Sequence, residues 1–414
     1  MAAVVVVIML IPQSLAYALL AGLPAEMGLY ASILPLAAYA LLGSSRTLSV
    51  GPVAVISLMT AAAIGKVAVY GGAGYITAAI ALTTISGLML LAMGMLRIGF
   101  LANFLSQPVV SGFINGACVI IALSQLNHLL GIQGGGSTLP ELLVNLWQNI
   151  ANWNPMAFVT GGSALAFLLW SRNGLRPVLQ RMGLRRGTAV IVRTGPILVV
   201  IVATLASVLW DYEARGVALV GEIPRGLPAF ALPDFDPQLW WALAESALLI
   251  SVIGFVESVS VGKTLAAKRR QRIDPNQELL ALGGANIASA VSSGFPVTGG
   301  FSRTVVNFDA GARTPAASLF AAIGITLVAL VATPWLYHLP KAALAAAIIA
   351  AVYSLFDFRL LTTAWQYSRS DFVAVALTLA ITLLFGVELG VLGGITSSVV
   401  LHLYKTSRPH NAVV

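Results

Sequence analysis

Long apolar stretches, broken by glycine, proline and clusters of charge, run through the whole chain. A hydrocarbon core about 30 Å thick takes roughly 20 helical residues to cross, fewer where a helix stops midway. Marking the breaks predicts helical segments at about 2–21, 28–42, 50–65, 75–96, 107–127, 156–171, 192–210, then 240–262, 277–292, 299–309, 315–332, 341–356, 371–386 and 388–404. These are fourteen spans, seven in each half. An odd number of spans per half sends the second half into the membrane from the opposite side, which makes an inverted repeat with both termini on one face. The expected fold is an all-α integral membrane protein of fourteen transmembrane segments.

Two of the predicted spans are short, the third of each half, and each follows a small, extended-looking stretch. Residues 44–57 read SSRTLSVGPVAVIS, and residues 293–307 read SGFPVTGGFSRTVVN. Non-helical backbone survives at membrane depth only where protein or a water-filled cavity satisfies it. Glycine and proline also merely kink membrane helices, but two interruptions at matching places point instead to a transporter site built from half-helices meeting at the bilayer midplane. Pro52 suits the first turn of the restarted helix, where its missing N–H is not needed. Arg303 sharpens this reading. An arginine at bilayer depth costs about 3 kcal/mol on insertion scales. A helix N-terminus with free N–H groups and a positive dipole end is an anion site, and Ser302 and Arg303 add a hydroxyl and a full charge.

Composition agrees. The 414 residues are 58% hydrophobic and 9% charged, against about 25% charged in soluble domains. The net charge of +8 sits in particular loops rather than on a nucleic-acid-binding face. Arg172, Arg176, Arg181, Arg185, Arg186 and Arg193 share one loop, and Lys263, Lys268, Arg269, Arg270 and Arg272 another. Residues 211–237 carry Asp211, Glu213, Glu222, Asp234 and Asp236 against Arg215 and Arg225. The positive-inside rule places the basic loops in the cytoplasm and the acidic loop outside. The run Lys268–Arg270 reads as solvated. Cys118 is the single cysteine, so no intramolecular disulfide forms, and the four histidines lack ligand spacing. No cofactor and no metal are expected. No phosphate-binding Gly-Lys-Ser/Thr loop supports ATP drive, and no paired carboxylates or histidine cluster suggests an enzyme. Gly283/Gly284 and Gly390/Gly394 fit close helix packing.

Further polar residues stand inside apolar spans. Gln13, after Pro12, offers an amide donor without charge; it also suits a helix–helix hydrogen bond. Tyr17, four residues on, shares its face and either walls a pocket or packs as an aromatic. Glu257 is the second ionisable residue within a span. Opposite Arg303 it carries a coupling proton, or else it forms a permanent structural ion pair with that arginine. Glu388 opens the last span, where a structural role at an interface is expected.

These motifs carry a resemblance. IPQSLAYALLAGLPAEMGLYAS (11–32), GSSRTLSVGPVAVISLM (43–59), GFVESVSVGKTLA (254–266), DPNQELLALGGANIAS (274–289) and GFPVTGGFSRTVVNFDAGARTP (294–315) resemble the SulP anion-transporter family, the sulfate permeases and prestin. The resemblance implies a seven-plus-seven inverted repeat like that of the uracil transporters. It implies a core domain from 1–97 and 237–333, carrying spans 1–4 and 8–11, and a gate domain from 98–212 and 334–408, carrying spans 5–7 and 12–14. It places the anion between the N-termini of spans 3 and 10, with Gln13, Tyr17, Val53, Ala54, Ser302 and Arg303 around it and Glu257 on span 8. Most members continue into a cytosolic STAS domain, and LYKTSRPHNAVV (403–414) is similar to the linker leading to it.

The function expected is secondary active transport of a small inorganic or organic anion, sulfate or a dicarboxylate, by proton symport in a bacterial inner membrane. A sodium-dependent bicarbonate transporter or an anion exchanger is the alternative within the family. A passive channel or electromotile scaffold is the alternative outside it. The expected partners are the anion, the proton and the lipid bilayer, with a homodimer formed through the STAS or gate domain and no nucleic acid.

Overall fold

The computed structural model describes residues 2–69, 72–100, 107–181, 195–221, 226–331 and 333–406. Arg185, Arg186, Arg193, Glu222, Arg225, Arg408 and most of the 403–414 segment lie outside them. The described chain is mostly helical. The first stretch holds α1 (Ala2–Leu20), α2 (Ala25–Tyr30), α3 (Leu34–Leu42), β1 (Val50–Gly51), α4 (Ala54–Gly65) and α5 (Ala73–Met95). Next come α6 (Gln107–Leu130), α7 (Leu139–Asn149), α8 (Pro155–Asn173), α9 (Leu175–Arg181) and α10 (Gly195–Leu209). Then follow α11 (Pro237–Lys268), α12 (Pro275–Val291), β2 (Thr298–Gly299), α13 (Phe301–Asp309) and α14 (Ala316–Val331). The chain closes with α15 (Thr333–Leu336), α16 (Lys341–Tyr353), α17 (Leu360–Tyr367), α18 (Arg369–Phe385) and α19 (Val387–Thr406).

Ala3–Leu20, Ala25–Leu42, Gly74–Met95, Pro108–Leu130 and Pro237–Lys268 are long and apolar enough to cross a membrane. At about 1.5 Å per residue, the 32 residues of α11 overreach the hydrocarbon core.

The expected span 28–42 is two helices, α2 and α3. Pro35 lies in the first turn of α3, where its ring excludes a helical hydrogen bond back to residue 31. Ser32 Oγ closes the gap by donating to Gly28 O at 2.9 Å and meeting Ser14 Oγ at 2.7 Å. Helices α7, α9, α15 and α17 are not among the hydropathy segments. A signal for α7 was present in its N-cap: Thr138 accepts from the Glu141 N–H, and Glu141 Oε2 accepts from the Ser137 N–H at 2.9 Å, as in a capping box. Backbone contacts hold Glu141 below the ordinary carboxylate pKa.

Two sets of helices pack among themselves. α12 lies against α5 and α3, α11 against α5, and α14 against α1 and α3. α18 lies against α6 and α19, and α16 against α6 and α8. The sets meet where α1 touches α16, α4 touches α6 and α19, and α11 touches α19. Small residues permit the close approaches. A Cβ at Gly283 would sit 2.8 Å from Leu91 N on α5, and one at Gly390 2.1 Å from Thr382 Oγ1 on α18.

Candidate anion site

β1 and β2 are the two interruptions read from the sequence. They pair antiparallel, with Val50 opposite Gly299 and Gly51 opposite Thr298. Short helices leave this ladder on both sides, α4 after the N-cap Val53 and α13 after the N-cap Gly300. Neither N-cap side chain bonds a first-turn amide. The leading N–H groups of both helices are thus left for a ligand or water. The two N-termini are neighbours: a Cβ on Gly300 would lie 2.9 Å from Val53 Cγ1. Pro52 falls before the N-cap rather than in the first helical turn.

Arg303 is the third residue of α13 and is 2% exposed. Its Nη2 donates to Thr298 O at a long 3.4 Å, while Nε and Nη1 have no partner among the described residues. Buried donors without partners are rare and call for an explanation; here they are cationic and stand beside two uncapped helix N-termini. Gly51 makes room for the guanidinium, since a Cβ there would lie 2.6 Å from Nη1. Gly51→Ala is therefore expected to shift Arg303 and to reduce anion uptake at least tenfold while the protein still folds. Initial uptake rates into proteoliposomes, beside a thermal melt, check it; uptake at the unmutated rate would break the link between that close approach and the site.

The irregular backbone on either side is satisfied by side chains. Ahead of β1, Glu278 (1% exposed) accepts from Tyr39 Oη at 2.7 Å, Ser44 N at 3.0 Å, Ser44 Oγ at 2.6 Å and Ser45 N at 3.0 Å. Ser49 N donates to Thr304 Oγ1 at 3.2 Å, and Asn307 Nδ2 to Thr47 O at 2.9 Å. Ahead of β2, Asn286 both donates to Val297 O and accepts from Val297 N, at 2.9 and 3.0 Å. Gly299 N donates to Ser258 Oγ at 2.8 Å, which ties β2 to α11. Each of these replaces a backbone partner that a continuous helix would have supplied.

Gln13 and Tyr17 are buried on α1, which packs against α4 and α13. Gln13 makes no hydrogen bond to a neighbouring helix among the described residues. The Tyr17 hydroxyl and the Glu257 carboxyl both lie within electrostatic reach of Arg303. Val53 and Ala54 open α4, and Ser302 is half-buried in the first turn of α13. Of these residues, Tyr17 and Glu257 are placed near Arg303, and Val53 beside Gly300. Glu257 and Arg303 do not form the structural ion pair considered from the sequence; among the described residues they interact through space only. Glu257 is half-buried and instead faces a small, partly open cavity, lined also by Val55, Val109, Phe113, Val256 and Val391.

Arg269 departs from the solvated loop expected of its run. It donates to Phe308 O at 3.0 Å and to Ala312 O, and stacks over the Phe308 ring at 4.0 Å. A cation on the last carbonyls of α13 complements the helix dipole, so the nine-residue helix that carries Arg303 is pinned at both ends.

Sequence reasoning missed Glu278, Asn286, Ser258 and Asn307. The available signal was polar side chains on apolar helices, Asn286 and Ser258 above all. What they bond is backbone 11 to 260 residues away.

The architecture is that of a multi-pass membrane protein whose two broken helices meet at a buried arginine. The chain belongs to the sulfate permease family, whose model matches residues 1–378. Sulfate transporter 4.1, chloroplastic, of Arabidopsis thaliana is 37% identical over 418 residues, covering 100% of this chain and 59% of that protein. The chain thus spans about three fifths of that relative's length. The fold is shared with SLC26A9 at a TM-score of 0.90 and 24% identity, over 98% of this chain and 65% of that one. It is shared too with the transmembrane domain of a cyanobacterium bicarbonate transporter, BicA, at a TM-score of 0.79 and 21% identity, over 96% of each chain.

Proposed function

We propose that this protein is a secondary active transporter of a small anion, sulfate or a dicarboxylate first, working by alternating access with proton symport. The observation that carries this reading is the buried Arg303 guanidinium with two unpartnered nitrogens between the uncapped N-termini of α4 and α13. An oxyanion supplies acceptors to the guanidinium and to the free amides at once, and charge-assisted bonds of this kind are the strong ones. Gln13, Tyr17, Val53, Ala54 and Ser302 line the site in this reading. Residues 1–97 and 237–333 form the moving core and 98–212 and 334–408 the supporting gate, in a seven-plus-seven inverted repeat with both termini in the cytoplasm of a bacterial inner membrane. The packing of α5 with α11 and α12, and of α6 with α16, α18 and α19, supports that division. The sulfate transporter name of the Arabidopsis relative supports sulfate.

Sodium-coupled bicarbonate transport is the second reading, favoured by the BicA likeness. It fits the site less well, because Arg303 repels a sodium ion placed beside the anion. Counterflow into proteoliposomes loaded with sulfate, bicarbonate or fumarate separates the two. Sulfate or fumarate exchange without sodium is expected; bicarbonate uptake that requires sodium would overturn the proposal.

A further inference from the structure

Glu388 is the second residue of α19, and both its carboxylate oxygens are engaged by other helices. Oε1 accepts from Ser246 Oγ of α11 at 2.9 Å. Oε2 is ion-paired with Lys66, the C-cap residue of α4. The same three helices wall the cavity that Glu257 faces, through Val55 of α4, Val256 of α11 and Val391 of α19, with α6 closing the remaining side.

The order of residues along each helix places the bridge relative to that cavity. Val391 is one turn from Glu388. Lys66 is eleven residues beyond Val55 and Ser246 ten residues before Val256, each about 15 Å along its helix. The bridge therefore lies outside the lining of the cavity, on the side of it reached along α4 toward Lys66 and along α11 toward Ser246. It lies at the end of α4 away from its free N-terminus, and toward the end of α11 away from Lys263 and Lys268.

We infer that Lys66, Ser246 and Glu388 form a latch that holds α4, α11 and α19 together on this side of the cavity, and that the latch opens whenever the carrier exposes its site on that side. The inference rests on the alternating-access reading, in which α4 and α11 move against α19. The chemistry suits a latch better than a permanent strut. The Lys66 side chain is 55% exposed and that of Glu388 14%, so water replaces the contact when the helices part. A pair so exposed contributes little to stability; what it adds is a preference for one arrangement of helices that otherwise meet through apolar side chains.

The test uses the whole chain in liposomes on a Cys118→Ala background, since Cys118 is the single native cysteine. With Val391→Cys added, modification by a membrane-impermeant maleimide reports opening of the cavity whatever the cargo. Lys66→Glu is expected to raise the labelling rate at least fivefold, and Lys66→Glu with Glu388→Lys to return it to within twofold of the starting value. Separately, Lys66→Cys with Glu388→Cys is expected to cross-link on mild oxidation and stop sulfate uptake, with recovery on reduction. Labelling unchanged by Lys66→Glu, labelling not restored by the charge swap, or undiminished uptake by the cross-linked protein would each overturn the latch. Labelling that responds as expected while no anion is carried by any variant leaves the latch standing and removes the transport reading instead.

Discussion

Arg303→Ala should abolish anion uptake and leave the fold intact. Removing one member of a desolvated, hydrogen-bonded charge contact costs about 2–5 kcal/mol of binding, which is roughly 30- to several-thousand-fold in affinity. At substrate concentrations near the unmutated half-saturation point, uptake should therefore fall to the background of empty liposomes. Stability should move the other way. The guanidinium is buried with Nε and Nη1 unpartnered, so the empty protein loses an uncompensated charge and should melt at the same temperature or higher. Ligand linkage adds a second reading, because an anion that binds the folded state raises the melting temperature. Sulfate should stabilise the unmutated protein and have no effect on Arg303→Ala. Arg303→Lys should retain part of the binding, since it keeps the charge and loses the planar fork. Uptake at the unmutated rate by Arg303→Ala, with an unchanged melt, would falsify the placement of the anion.

Glu257→Gln should separate anion movement from proton movement. The amide keeps the size of the acid and mimics its protonated form, but carries no charge. Glu257 faces a cavity rather than an ion-pair partner, and the charge of Arg303 is within electrostatic reach. In the proposed cycle the protonated acid leaves Arg303 free for an anion, and the deprotonated acid balances Arg303 when the empty carrier returns. The variant should therefore still exchange labelled for unlabelled anion at a rate within a few-fold of the parent. It should lose accumulation driven by an inward proton gradient, because the empty, proton-free carrier no longer exists. Uptake is to be measured in both proteins under a proton gradient and then under a sodium gradient. Should Glu257→Gln still concentrate anion in response to pH, Glu257 is structural and the coupling proposal fails, while the site at Ser302 and Arg303 survives. A response to sodium in place of pH would favour the bicarbonate reading.

Both predictions began from features plain in the chain. The apolar segments follow from composition, because a hydrocarbon solvent accepts little else, and each predicted segment holds a helix among the described residues, though 28–42 is two helices and 50–65 and 299–309 open on β1 and β2. The interruptions at Gly51 and Gly299 were legible for the same reason: glycine, proline and an arginine in an apolar stretch need a specific environment. Local sequence did not disclose what that environment was. The two breaks are strands paired with each other across 249 residues, Gly299 opposite Val50 ahead of Arg303. A two-residue strand has no periodicity to read. The carboxylate of Glu278, the amide of Asn286 and the guanidinium of Arg269 satisfy backbone groups that only the folded chain brings near them. Lys66 and Glu388 meet across 322 residues, and charge attraction leaves no trace in spacing along a chain. What the sequence by itself determined was membrane residence, the two breaks and the residue types gathered at them, since burial in lipid selects side chains one position at a time. The tertiary structure alone decided which groups pair, because each buried donor and acceptor takes whichever partner packing places within hydrogen-bond reach.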